Sequence, residues 1–164
     1  MINSVESEAL LVVKNIELSF GDLPYPGDDD IIPLGSSGPE HLMVRDAFKG
    51  RNWVDVSKDE DLISFYYDGL LFFTPTAFRF YLPSYMVASI RLEDEMVRRT
   101  LLQVLSPPPH GIMHRNSYVI RIGMMDKDQI YSIGILIRFL HRSGYLDKDA
   151  ISSLNLERYV DELN

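Results

Sequence analysis

Arg79 lies among Phe78, Phe80 and Tyr81, in the most apolar stretch of a 164-residue chain. A guanidinium in such surroundings needs a carboxylate, a carbonyl or an aromatic face. It either holds an anionic ligand in a pocket or packs its stem on the rings and sends its head to water or an acid. Trp53, the only tryptophan, and Tyr85 complete the set of candidate binding residues. An indole among polar neighbours is a binding platform or, more commonly, the anchor of a loop on the core. His110 and His114 are the only two histidines close together, and H-x-x-x-H spacing puts both imidazoles on one helix face for a metal. Pro107, Pro108, Pro109 and Gly111 oppose a helix there, and neither a following glutamate nor a third ligand is evident. Asp28-Asp29-Asp30 offers oxygens to a hard cation but lacks the EF-hand spacing, so a solvated charge run is the simpler reading. No metal, no cofactor and no catalytic residue is expected from these patterns.

The remaining chemistry is narrowed by what the chain lacks. There is no G-x-S-x-G elbow, no phosphate-binding P-loop and no G-x-G-x-x-G. With no cysteine, disulfides, thiolate nucleophiles and thiolate-bound zinc are excluded. The net charge of −8 and the scattered positions of Arg91, Arg98 and Arg99 among acids argue against nucleic-acid binding. The first eight residues lack the pattern of a signal peptide, and no apolar run has membrane-spanning length, so a cytoplasmic protein with no membrane contact is expected.

The elements that must position these residues are mainly helical. Ser4 begins a helix whose apolar positions Val5, Ala9, Val12, Val13, Ile16 and Phe20 recur at helical spacing up to Gly21. Residues 21–40 form a long Gly/Pro/Asp-rich loop. Short helices follow over residues 40–49 and after Asp59-Glu60-Asp61. Leu70 to Phe73 reads as a buried strand or extended segment. Thr74 and Pro75 start a helix with Phe78, Tyr81, Leu82, Tyr85, Met86 and Ser89 on one face; Pro83 predicts a kink or a break in it. A helix from Glu93 to about Leu105 stops at Ser106 and the prolines, with a second loop over residues 106–117. Ser117 to Ile122 alternates like a short strand. Asp126 with Gln129 makes a capping box for a helix carrying Ile130, Ile133, Ile137 and Leu140. A last helix is expected over residues 153–163. The fold class is therefore mainly α, one compact domain over residues 1–164 with five to seven helices and at most a minor strand element. Residues 70–86 and 126–141 should supply its core.

Two residue blocks carry a family likeness. Phe48-Lys49-Gly50-Arg51-Asn52-Trp53, and Leu71 onward through Phe73-Thr74-Pro75 and Tyr81-Leu82-Pro83 to Met86, resemble an uncharacterised family of small bacterial proteins of unknown function. Met125 to Ile130 with Phe139-Leu140 is a weaker match. The likeness covers about residues 45–145. It implies a mainly helical domain in a bacterial cytoplasm and brings no established activity, so no catalytic role follows from it.

On these grounds the expected function is non-catalytic protein binding. An acidic surface suits a basic partner, and an immunity- or antitoxin-like protein is one concrete form. The alternative is a small metal-dependent or hydrolytic enzyme using His110, His114 and carboxylates such as Asp28 to Asp30. Convergence of those groups around a pocket would favour it.

Overall fold

Thr74-Pro75 starts the helix around which the chain folds. In this computed structural model, which describes residues 4–108 and 115–161, the Thr74 hydroxyl accepts from the Ala77 N–H at 3.1 Å. Pro75 follows at the first helical position, where its missing N–H costs nothing. Ten α-helices lie among the described residues: α1 (Ser4–Phe20), α2 (Pro39–Phe48), α3 (Trp53–Val56), α4 (Glu60–Phe65), α5 (Pro75–Arg91), α6 (Glu95–Leu105), α7 (Arg115–Gly123), α8 (Lys127–Arg142), α9 (Lys148–Ser153) and α10 (Glu157–Asp161). Six of them run nine residues or more, matching the expected five to seven. The other four are pieces of one or two turns.

Helix α5 is the axis of the molecule. It is buried on every side from Ala77 to Ser89 except at Arg79, not on one face alone. A helix apolar all round must be enclosed, and α1, α3, α6, α7 and α8 enclose it. The expected core residues Phe78, Tyr81, Leu82, Ile133 and Ile137 are all completely buried in one continuous cluster. Helix α8 begins with the predicted capping box, Asp126 accepting from the Gln129 N–H at 2.9 Å and Gln129 from the Asp126 N–H at 3.2 Å. Its apolar face packs against α1 and α10.

Four expectations change. Among the described residues there is no strand. Gly69–Leu71 is a 3-10 turn rather than part of an extended run, closed by the Leu71 N–H on the Asp68 carbonyl at 2.9 Å and the Phe72 N–H on the Gly69 carbonyl at 3.0 Å. Ser117 to Ile122 lies inside α7: Tyr118 and Ile122, four apart, face the core, while Val119 and Ile120 are exposed. Of the kink or break expected at Pro83, the break does not occur: helix α5 runs on from Pro75 to Arg91. Finally, the single C-terminal helix is two. Asp147 caps α9 by accepting from the Ala150 N–H at 2.7 Å, and Asn155, at φ 51°, turns the chain into α10. Asparagine tolerates that left-handed conformation better than most residues.

The 21–40 loop is fastened at two points. Ile31 and Ile32 are buried, and the backbone of residues 30 and 31 meets Thr74: its hydroxyl donates to the Asp30 carbonyl at 2.6 Å and its N–H to the Ile31 carbonyl at 3.0 Å. Asp28 to Asp30 form a single 3-10 turn. The Asp28 carboxylate accepts from the Tyr25 hydroxyl and from the Gly50 N–H. Burial, then Asp28, raise the Tyr25 hydroxyl above its ordinary pKa.

Candidate functional site

Arg79, the one charged residue in the buried span of α5, is aimed at the start of α8. Its Nε donates to Gln129 Oε1 at 2.9 Å, and one terminal nitrogen lies 3.3 Å from Asp126 Oδ2. Gln129 is itself buried and donates onward to the Ser19 carbonyl at the end of α1, at 3.2 Å. Arg79 thus completes a chain of hydrogen bonds that ties α5, the α8 cap and the α1 terminus together. The acid beside it is half exposed (54 %), so its charge keeps its water if Arg79 is removed. Arg79→Leu should therefore cost only about 1 kcal/mol in urea unfolding, the range of an ordinary hydrogen bond. A loss above about 3 kcal/mol would mean a buried, unpaired carboxylate instead.

Trp53 is 1 % exposed and Tyr85 is wholly buried, so neither ring offers a face to a ligand. Trp53 sits at the first position of α3, after an Asn52 cap that accepts from the Val54 N–H at 2.8 Å. The Trp53 carbonyl receives the Ser84 hydroxyl at 2.8 Å. Tyr81 shares its hydroxyl hydrogen between the carbonyls of Phe48 (2.7 Å) and Arg51 (2.9 Å). The turn of residues 48–53 is therefore held by two side chains of α5. Gly50 bends it at φ 69°, where a side chain would be strained. Burial, with Tyr25 and Asp28 nearby, raises the Tyr81 hydroxyl far above its usual pKa and keeps it a donor. Arg51 leaves the same turn to pair with Asp59 at 2.7 Å, which holds that carboxyl below the usual range.

The histidine pair His110 and His114 lies outside the described residues. Among the described residues no three metal-capable side chains cluster. Asp28 is already committed to Tyr25 and Gly50.

The surface feature that sequence reasoning missed lies between α2 and α4. Glu40, Met43, Val44, Phe65, Tyr66, Asp68 and Phe72 line a groove of about 210 Å³. Phe65 is 68 % exposed and Met43 49 %. Phe72 forms part of the groove, with the His41 ring edge-on to it at 5.0 Å. The floor is built from the core: Tyr85 donates to the Tyr66 carbonyl at 2.6 Å, and Phe48 packs edge-on against Tyr66. Tyr85 thus shapes the groove from beneath without being exposed in it. Glu40 and Asp68 stand at the rim, and no cation of the described residues pairs with either. Other acids are engaged: Asp46 with Arg45, Asp59 with Arg51, Asp126 with Arg79, Glu8 with Arg142. A signal was present in the sequence: Ile63, Phe65, Tyr66 and Tyr67 crowd too many large residues onto a six-residue helix and its end for all to be buried. The opposite end of α4 opens on a wider, solvated depression lined by Asp55, Lys58, Asp59, Glu60 and Asp61. It is larger but lacks an apolar wall, so the groove is the better docking surface.

The fold and this surface define a helical domain with a groove whose apolar side chains are flanked by carboxylates. Residues 35–162 match the family of unknown function DUF6714, and the chain belongs to that family. No curated protein and no solved structure matches the chain. Among the described residues no helix is long and apolar enough to cross a membrane.

Proposed function

We propose that this chain is a non-catalytic protein-binding module of the bacterial cytoplasm that seats a partner in the α2–α4 groove. The observation that carries this is the exposure of Phe65 and Met43 together on one groove, rimmed by carboxylates that no cation of the described residues pairs. Single exposed apolar residues are ordinary on any surface, but several lining one concavity with a polar rim are the mark of an interaction site. Blocking a basic partner, as an immunity protein or antitoxin does, is one form this takes; the net charge of −8 supports it.

The test is affinity capture from the native host with the wild-type chain and the Phe65→Ser/Met43→Ser double variant as baits. Both residues are too exposed to support the core, so unfolding should shift by less than about 0.5 kcal/mol. A stoichiometric partner should appear on the wild type and fall roughly tenfold or more on the variant, the effect of losing one buried apolar anchor. Equal recovery on both baits, or no stoichiometric partner, would refute the groove as the docking site.

A further inference from the structure

We infer that the groove selects a short basic segment of the partner: one large apolar side chain set against Met43, Phe65 and Phe72, flanked by Lys or Arg that meet Glu40 and Asp68. This rests on the docking reading above and adds the chemistry of the occupant.

Size comes first. Sites for small molecules and cofactors usually enclose roughly 300–1,000 Å³. At about 210 Å³ the groove falls below that range and suits a single side chain. Interfaces concentrate their energy in such anchors, seated in a pocket and ringed by polar contacts.

Charge decides what surrounds the anchor. Glu40 and Asp68 line the groove, and no cation lines it. Neither has an ion-pair partner among the described residues, whereas Asp46 and Asp59 are already paired with Arg45 and Arg51. Asp68 sits at the start of the 3-10 turn without capping it, so its carboxylate has no structural task there. Around α4 the acids continue through Glu60 and Asp61, with Lys58 the one cation in that depression. Such a field accelerates the approach of a cationic segment and repels an acidic one.

Other occupants fit less well. A second copy placed by a two-fold axis would bring the same acidic rims face to face. An anionic lipid surface or a nucleic acid would meet like charge.

The experiment is selection of a random displayed dodecapeptide library on the wild-type chain. The enriched peptides are then synthesised with a fluorescent label and titrated at low and high salt. Enriched sequences should share one Leu, Ile, Phe or Trp with Lys or Arg within a helical turn of it. Replacing the anchor by Ala should weaken binding about tenfold or more, and Phe65→Ser should do the same. Glu40→Gln/Asp68→Asn should weaken binding and flatten its salt dependence, because the removed charges are the ones being screened. Enrichment of apolar anchors with neutral or acidic flanks, still lost on Phe65→Ser, would overturn the basic-segment inference and leave the docking site standing. Basic peptides that bind Phe65→Ser as well as wild type would place binding on the general acidic surface and overturn it too. An absence of enrichment also counts against it; the host-capture result then shows separately whether the groove docks anything.

Discussion

Replacing Trp53 by alanine is expected to remove about 3–5 kcal/mol of stability, as deletion of a large buried aromatic does. Total stabilities of domains this size lie around 5–15 kcal/mol, so the variant should be close to unfolding at ambient temperature. Three features set the size of the effect. The indole is 1 % exposed, so its whole area is lost from the core. Its backbone is held by the Ser84 hydroxyl at 2.8 Å and cannot drift to fill the cavity. The preceding turn is gripped by Tyr81, which limits collapse from the other side. Urea unfolding followed by far-ultraviolet circular dichroism measures the loss without relying on the tryptophan signal. A loss under about 1 kcal/mol, with partner capture abolished, would make Trp53 a contact residue and contradict its placement.

That placement shows what the sequence could and could not disclose. Helix starts were legible because each rests on local chemistry: Thr74 with Pro75, Asp59, and the Asp126–Gln129 capping box all sit where their residue types demand. The core was legible at Phe78, Tyr81 and Ile137 because apolar spacing marks a buried face. The second and further buried faces of α5 were not, since only the arrangement of its neighbours encloses them. Residues 117–122 misled for a related reason. Their alternation is real, but the i, i+4 pair Tyr118 and Ile122 satisfies a helix equally, and packing chose the helix. The two ends of the Arg79 bond lie 50 residues apart, a pairing no local pattern encodes. The groove was hidden because exposure of Phe65 depends on which of several crowded apolar residues the short α4 leaves outside.

Gly69 should prove as intolerant as any position outside the aromatic core, for a reason of space rather than backbone freedom. A Cβ built there would lie 2.4 Å from the Tyr85 hydroxyl oxygen. That hydroxyl cannot simply move, because it donates to the Tyr66 carbonyl at 2.6 Å and its ring is completely buried. Gly69→Ala should therefore cost about 1–3 kcal/mol, the usual range for overpacking. Tyr85→Phe alone should cost about 1 kcal/mol, since the Tyr66 carbonyl loses the hydroxyl but keeps the Gly69 N–H at 2.9 Å. The two together should cost less than their sum by at least about 1 kcal/mol: removing the hydroxyl opens the space that the new methyl group needs. The same Gly69→Ala change should weaken partner binding without touching the partner, because pushing Tyr85 displaces Tyr66 in the groove floor. Double-mutant unfolding gives the coupling, and peptide titration gives the binding effect. Strict additivity of the two stability losses would show that the glycine is required for something other than the approach of Tyr85.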